Sequence, residues 1–232
     1  IKRSSIKICT KCGMQPHRGF KMKQNFSKKF IKQDIEKSLE RLNTDYLDIV
    51  LLHSPNTLHD FHDSLNFLDN QKKSGIIKNI GISLRSPMDI KTLNYKFIDY
   101  FEVNYNLLDQ RLLDIDLKKY KNKKFIARTP LNFGFLTNKD LNKYNFEKTD
   151  HRRFWSGRQL DNWNLYKKVF YYYVNKYNYK EISEFALKFV LSTPGVEFVI
   201  PGMLSKNEIN KNLNILIDKK ISHIDLKNIN RI

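Results

Sequence analysis

Two side chains that could do chemistry follow short apolar runs near the start of the sequence. Lys11 ends the run at residues 6–11, and His53 ends the run at residues 46–53. If these runs are neighbouring parallel strands, they lie about 5 Å apart in the sheet. A lysine and a histidine at adjacent strand ends can converge on one atom of a substrate. We therefore take Lys11 and His53 as the candidate catalytic residues.

The alternation of side chains along a strand predicts which residues share a face with Lys11 and His53. Successive residues of a strand point to opposite faces, so residues two apart share a face. Cys9 should then share the face of Lys11, and Leu51 the face of His53. We expect Lys11 and His53 to lie at one mouth of the fold and to face one cavity.

Apolar runs of strand length alternate along the chain with segments of helical period. The strand predictions are residues 6–11, 46–53, 77–83, 100–105, 124–128 and 197–200. The first predicted helix follows an apolar stripe from Phe30 to Leu42, and the second begins near Phe61 and ends at Ser74-Gly75. A third helix is predicted to begin at Ser86-Pro87. Further helices are predicted at residues 166–177, 181–191 and 205–216.

Strand–helix alternation predicts an α/β fold with a parallel sheet, either open and doubly wound or closed as a (β/α)8 TIM barrel. An open dinucleotide-binding sheet would carry Gly-x-Gly-x-x-Gly after its first strand. That motif is absent, and the chain has only 8 glycines. The barrel is favoured, with about six of its eight βα units in one incomplete domain over residues 1–232. Since the sequence lacks an initiator methionine, we expect two units to precede residue 1 and the open sheet edge to promote association.

The amino-acid composition excludes several classes of function for this chain. The formal net charge is +18, but lysine is spread over the whole chain, so a nucleic-acid partner is not predicted. No apolar run reaches about 18 residues, so no membrane-spanning helix is predicted. Two cysteines cannot build a disulfide framework, which favours a reducing compartment such as the cytoplasm.

The spacing Cys9-Thr10-Lys11-Cys12 suggests a second kind of chemistry. A zinc site would need a second pair of ligands, and a redox motif should open a helix. On a strand, residues three apart point to opposite faces, which disfavours a bridge between the two thiols. We predict no metal site and no redox role here.

At this point the sequence resembles the aldo-keto reductase family. The strand ICTK at residues 8–11 is similar to the family's strand with a conserved lysine. Further similar segments follow in the family's order: LERLNTDYLD at 39–48 with LLH at 51–53, GIIKNIGIS at 75–83, VNYNLLD at 103–109, TPLNFGFLT at 129–137, VIPG at 199–202, and Asn212. The resemblance runs from about residue 6 to about residue 214.

The resemblance implies that a small-molecule carbonyl, an aldehyde or ketone, is reduced by hydride transfer from a nicotinamide cofactor. Lys11 matches the family's lysine, which lowers the pKa of a catalytic tyrosine, and His53 matches the histidine that orients the substrate oxygen. The family's tyrosine, and the aspartate that pairs with the lysine, belong to the unit before Lys11. We therefore expect these 232 residues alone to be inactive.

The resemblance also implies a set of cofactor-binding residues. They are Ser83, Glu102, Arg128, Thr129, Leu131, Gly134, Pro201, Gly202, Ser205 and Asn212. Several positions depart from the family pattern. Leu84 stands where an asparagine is usual, Glu102 where a glutamine is common, and Arg128 where an aromatic ring often stacks on the nicotinamide.

The choice of cofactor follows from the last segment. Glu208 stands where NADP-preferring members often have arginine, and a carboxylate repels a 2′-phosphate. Lys206 is close enough in sequence to compensate, so we expect NADP, with NAD as the alternative. The second hypothesis for the whole protein is a catalytically inactive, nucleotide-binding regulatory protein with the same fold. The sequence does not identify the carbonyl substrate or the oligomeric state.

Overall fold

The structure is a computed structural model that describes residues 2–15, 23–55, 62–93, 96–141, 146–215 and 221–230. Its strands are β1 (Cys9–Cys12), β2 (Leu47–His53), β3 (Ile77–Ser83), β4 (Tyr100–Asn104), β5 (Lys124–Arg128) and β6 (Val196–Ile200). Its α-helices are α1 (Lys28–Leu42), α2 (His62–Lys73), α3 (Gly157–Lys176), α4 (Ile182–Ser192), α5 (Lys206–Asn214) and α6 (His223–Ile229).

The six strands belong to one sheet and follow one another in the order of the sequence. Strands β1 to β4 pair in parallel, as strand–helix alternation predicts. The register pairs Lys11 with Leu51, His53 with Ser83, and Ser83 with Glu102. Every residue of β2 except His53 is buried, which is typical of a strand covered on both faces.

The chain divides into two compact units. The first consists of Ile1–Val103 and Lys118–Phe125, and the second of Asn104–Leu117 and Ile126–Ile232. In the first unit, α1 buries Ile31 and Ile35, two positions of its predicted apolar stripe. In the second unit, α4 is buried over most of its length and packs against α3, α5 and β6.

Helix ends agree with the capping residues in the sequence. Ser27 caps α1 by accepting a hydrogen bond from the backbone N–H of Phe30. Helix α2 ends at Lys73, and Gly75 follows with a φ of +83°, a left-handed conformation that favours glycine. These local signals place helix ends from sequence alone.

Several boundaries differ from the predictions. Strand β1 begins at Cys9 instead of residue 6, because the ladder with β2 starts at the Cys9–Ile49 pair and Arg3–Ser5 form a 3₁₀ turn. Helix α3 begins at Gly157, nine residues before the predicted start at residue 166, because Ser156 supplies an N-cap. Phe61 and Leu216, which the patterns place in α2 and α5, lie outside the described residues.

The predicted helix at Ser86-Pro87 is a 3₁₀ helix, Pro87–Thr92. Ser86 and Asp89 form a capping box, so the predicted start is correct. The helix is short because Leu93 already has extended dihedral angles on the way to β4. Further 3₁₀ turns at Arg111–Asp114 and Leu117–Tyr120 lie in the connection between β4 and β5. Among the described residues, no helix is long and apolar enough to cross a membrane.

Candidate functional site

Four of the predicted site residues share one face of the sheet in the first unit. Paired residues of neighbouring parallel strands point to the same side, and residues two apart in a strand do so as well. Lys11 pairs with Leu51, which precedes His53 by two residues, and His53 pairs with Ser83. Ser83 in turn pairs with Glu102. The register therefore aligns Lys11, His53, Ser83 and Glu102 on one face at the carboxyl ends of their strands.

An ion pair joins two members of this face. Lys11 Nζ lies 2.9 Å from Glu102 Oε2, and Ser83 Oγ donates a 2.8 Å hydrogen bond to Glu102 Oε1. Glu102 is only 1% exposed. A buried carboxylate is costly unless it is paired and hydrogen-bonded, and here both of its oxygens have partners. Glu102 is thus the counter-ion that holds the Lys11 ammonium group in place.

The strand ends beyond this pair are tied together by hydrogen bonds. Ser54 Oγ lies 3.4 Å from Ser83 Oγ, and Ser54 has a φ of +48°. Gln24 Nε2 donates to the carbonyl oxygens of His53 and Ser54 at 3.0 and 2.7 Å, and Arg85 Nε donates to the Ser54 carbonyl at 3.3 Å. These contacts fix the backbone around His53. The family resemblance gives no role to Ser54, Gln24 or Arg85, so sequence reasoning missed them.

The two thiols of the C-x-x-C spacing are free. Burial raises the pKa of Cys9 to about 11, the nearby Lys11 charge lowers it, and Glu102 raises it. Burial raises the pKa of Cys12 as well, and its Sγ contacts the Leu51 carbonyl oxygen at 3.6 Å. Both thiols are therefore protonated at neutral pH, and Cys9 senses the Lys11–Glu102 pair electrostatically. The described residues hold no group of three or more His, Cys, Asp or Glu that could bind a metal ion.

In the second unit, the loop after β5 has an unusual backbone. Thr129, Asn132 and Phe133 have φ angles of +54°, +44° and +54°, and Gly134 has +92°. Positive φ in residues other than glycine costs free energy and persists only where neighbours enforce it. Thr129 is held in this conformation because its Oγ1 donates to Asn104 Oδ1 at 2.9 Å. Its carbonyl also accepts a 3.0 Å hydrogen bond from the side-chain amide Nδ2 of Asn106, which follows β4.

This loop lines a cavity of about 380 Å³ that we call the loop pocket. Four of the predicted cofactor residues contribute to its wall: Thr129, Leu131, Gly134 and Gly202. Arg128, Pro201, Ser205 and Asn212 are not among the described residues that form this wall.

Two cations to which the sequence analysis gave no role, Lys139 and Arg152, also line the loop pocket. Arg152 Nη1 donates to the Phe133 carbonyl oxygen at 3.2 Å. Asp150 binds the Arg152 guanidinium through both carboxylate oxygens, which holds the pKa of Asp150 at about 2.

The start of α5 completes the loop pocket. Ser205 caps this helix by accepting from the Glu208 backbone N–H, and Glu208 Oε2 accepts a 2.7 Å bond from the Leu204 N–H. Glu208 therefore stabilises the helix start while its carboxylate lines the pocket. Further along α5, the side-chain Nδ2 of Asn212 is buried without a hydrogen-bond acceptor in the described part of the chain. A buried donor without a partner is the arrangement expected where a ligand supplies the acceptor.

Comparisons with known proteins agree on one protein family. The model of the aldo/keto reductase family matches residues 1–232. The uncharacterised oxidoreductase YqkF of Bacillus subtilis is 26% identical over 87% of this chain and 65% of its own length. The D-arabinose 1-dehydrogenase of Saccharomyces cerevisiae is 34% identical over 52% of this chain and 35% of its own length. The chain thus spans less than two thirds of either relative.

A solved structure supports the same fold. The glycerol dehydrogenase of Gluconobacter oxydans superposes with a TM-score of 0.82 and 22% identity, over 99% of this chain and 72% of that one.

Proposed function

The chain belongs to the aldo/keto reductase family, and from this premise we propose that the complete protein is an NAD(P)H-dependent oxidoreductase that reduces aldehydes or ketones. The observation that carries the proposal is the alignment of Lys11, His53, Ser83 and Glu102 on one sheet face. In this family the corresponding lysine and histidine serve proton transfer and substrate orientation. We assign the same roles to Lys11 and His53.

The residues of the second unit fit a phosphate-bearing cofactor. The loop pocket offers two cations, Lys139 and Arg152, and the N-terminus of α5, whose free N–H groups attract anions. The space beside Gly202 in this wall is open, since a Cβ there would meet nothing within 4 Å. Outside this wall, the Nδ2 of Asn212 in α5 is buried without an acceptor in the described part of the chain. When bound, NAD(P)H supplies the hydride.

We propose NADPH as the preferred cofactor, with NADH as the alternative. Lys139 of the loop pocket favours the extra phosphate of NADPH, whereas the Arg152 charge is already paired with Asp150 and the Glu208 carboxylate opposes the phosphate. We also keep the assignment to cofactor binding for Thr129, Arg128, Leu131, Pro201 and Ser205. The proposed compartment is the cytoplasm, because both cysteines are free thiols.

The site's electrostatics support the proposed chemistry. The buried carboxylate of Glu102 fixes the position of the Lys11 ammonium group at 2.9 Å. A fixed cation stabilises a neighbouring anionic oxygen and so assists transfer of a proton to a carbonyl oxygen. His53 shares this face, where a substrate oxygen could be oriented between the two side chains.

The test is NADPH and NADH oxidation with a panel of aldehydes and ketones. It should use these 232 residues and a form extended upstream in the gene. Turnover by the extended form that disappears in its Lys11→Met variant supports the proposal. Nucleotide binding by the extended form without turnover of any carbonyl overturns it.

One observation favours a second candidate, a nucleotide-binding protein without catalysis. Glu102 stands where the family commonly has a glutamine, and its carboxylate is committed to Lys11 and Ser83. Leu84 replaces the usual asparagine and is 1% exposed. The glutamine and asparagine amides that the family has at these two positions are therefore absent, and with them two contacts to the cofactor. Nucleotide binding that persists while every carbonyl fails as substrate identifies this candidate.

A further inference from the structure

We propose that Lys167, in the middle of α3, is a positioning residue for cofactor binding, because it holds the loop of residues 129–138 in the conformation that forms the loop pocket. Lys167 is not among the described residues that line this pocket. It therefore acts on a bound nucleotide through the loop and not by contact. The role of the lysine in cofactor binding rests on the proposed function, whereas its contacts with the loop do not.

The Lys167 side chain joins two carbonyl groups near the end of this loop. Its Nζ donates hydrogen bonds to the carbonyl oxygens of Phe135 and Thr137, at 3.1 and 2.6 Å. The same nitrogen lies 5.1 Å from the centroid of the Phe135 ring, within the range of a cation–π contact. Hydrogen bonds from a charged donor are stronger than those between neutral groups. One ammonium group thus ties the loop to α3.

Lys167 is the middle one of three α3 residues that contact the loop. Trp163, Lys167 and Tyr171 are four residues apart, so they share one face of the helix. The Trp163 ring packs against the Phe135 ring, with centroids 5.2 Å apart. The Tyr171 hydroxyl donates to Asn138 Oδ1 at 3.4 Å. This face of α3 therefore anchors the loop at three successive turns of the helix.

The loop needs an anchor because its backbone is strained. Three of its residues other than glycine have positive φ angles, which persist only where surrounding contacts enforce them. The Thr137 hydroxyl donates to the Gly134 carbonyl oxygen at 2.7 Å, and both residues line the loop pocket. The bond from Lys167 to the Thr137 carbonyl is thus coupled directly to the pocket wall.

The surroundings of Lys167 agree with this use of its charge. The side chain is partly buried, and burial lowers the pKa of Lys167, whereas the Asp140 carboxylate raises it. An ammonium group that loses water on folding needs hydrogen-bond acceptors from the protein. The two loop carbonyl groups supply them.

Loss of the anchor should weaken cofactor binding without changing which cofactor is preferred. If the loop adopts the pocket-forming conformation only part of the time, the apparent dissociation constant rises in inverse proportion to that fraction. Lys167→Met keeps the apolar stem of the side chain and removes the ammonium group. It should raise the dissociation constants of NADPH and NADH about five- to tenfold each, and their ratio should stay within about twofold.

Two variants separate the anchor from a general effect of charge. Lys167→Arg keeps a cationic donor on a long side chain and should restore the affinity of the parent to within about twofold. Lys168→Met removes an equal charge from the next residue of α3, which is exposed, and should bind like the parent. Calorimetric titration of the form extended upstream, with NADPH and with NADH, measures the dissociation constants.

Hydrogen–deuterium exchange tests the anchor without any nucleotide. The backbone N–H groups of Gly134, Phe135 and Leu136 are hydrogen-bonded within the loop. In the 232-residue chain, the peptide that contains them should exchange about fivefold faster in Lys167→Met than in the parent or in Lys168→Met. The peptide of β2 should exchange at the parent's rate, which shows that the effect is local.

Parent-like exchange of the loop in Lys167→Met overturns the proposal. An unchanged affinity in this variant, equal weakening by Lys168→Met, or failure of Lys167→Arg to restore binding overturns it as well. If the parent binds neither nucleotide, the proposed function fails and the effect on affinity with it, whereas the exchange experiment still decides whether Lys167 anchors the loop. If Lys167→Met does not fold, as judged by circular dichroism, Lys167→Gln takes its place in both measurements, with the same expected results.

Discussion

Lys11 and Glu102 form a 2.9 Å ion pair although their strands, β1 and β4, are separated in the sheet by β2 and β3. Three strand spacings of about 4.8 Å would place the backbones of β1 and β4 about 14 Å apart in a flat sheet. The side chains meet because strands β1 to β4 curve towards the face that carries them. Curvature of the first unit thus brings together two residues that neither sequence proximity nor strand pairing would join.

The reactivity of Cys9 should report on this ion pair. The thiolate is the reactive form, and the pKa of Cys9 is raised to about 11 by burial, with Lys11 lowering it and Glu102 raising it. Alkylation by iodoacetamide should therefore be slow at pH 8 and accelerate as the pH approaches 11. Glu102→Gln should speed the reaction at pH 8, and Lys11→Met should slow it.

Mass spectrometry of the modified peptide measures these rates. Cys12 is 1% exposed and should stay unmodified in the folded chain, which provides an internal control. A slower reaction in Glu102→Gln than in the parent would contradict the proposed electrostatic coupling.

Removal of the strand-end lysine should abolish most of the proposed activity. In the form extended upstream, Lys11→Met should lower kcat for carbonyl reduction by about 10²–10⁴, the usual contribution of positioned acid–base catalysis.

Lys29→Met is the matched control, since Lys29 is an exposed residue of α1. A Lys11→Met variant with the parent's kcat would remove Lys11 from the catalytic assignment.

Neutralising Glu208 should shift the preference between cofactors. Glu208→Gln keeps an acceptor for the Leu204 N–H and removes the negative charge from the loop pocket. We expect the dissociation constant of NADPH to fall about fivefold relative to that of NADH, as for one partly screened charge pair. Equilibrium binding of both nucleotides measures the ratio, and an unchanged ratio means that the 2′-phosphate does not bind near Glu208.

Asp225 should contribute stability that disappears in acid. Burial raises its pKa, but hydrogen bonds from Lys176, Tyr177 and Ser222, at 2.7, 2.6 and 3.0 Å, hold the pKa below its ordinary value. A group with a lowered folded-state pKa stabilises the fold above its unfolded pKa, which is about 3.9, and loses that effect as the pH falls through the folded value.

Asp225→Asn should therefore lower the free energy of unfolding by about 1–3 kcal/mol at pH 7. The difference from the parent should shrink below about pH 4, where the parent carboxylate also becomes protonated. Urea unfolding at several pH values measures it. A destabilisation that is the same at pH 3 and pH 7 would show that the ionised carboxylate is not the cause.

Gly81 should tolerate no larger residue. It lies in β3 between Leu51 and Tyr100, and a Cβ would approach the Tyr100 carbonyl oxygen to 2.5 Å. Gly81→Ala should cost about 1–3 kcal/mol, as overpacking does. Gly157→Ala is the control, because a Cβ at this first residue of α3 meets nothing within 4 Å. Thermal unfolding compares the two, and equal midpoints would contradict the crowding at Gly81.

Local patterns in the sequence determined the strands, most helix ends and the residues at the strand ends. Apolar runs placed β3 and β5 at their observed bounds, because strand formation there follows from side-chain periodicity and burial. Ser86 and Ser205 marked helix starts, because a capping hydrogen bond involves only neighbouring residues. The roles of Lys11 and His53 came from motif resemblance and remain predictions.

Only the tertiary structure determined which side chains form ion pairs and hydrogen bonds with one another. Sequence reasoning noted Glu102 only as a cofactor-site residue that replaces the family's glutamine, whereas in the structure its carboxylate is the counter-ion of Lys11. It also gave no signal for the free amide of Asn132 or for the positive φ of Thr129. Periodicity and capping depend on residues a few positions apart, but ion pairs and unpaired buried atoms depend on how distant segments pack. Only the folded chain brings those segments within hydrogen-bonding distance.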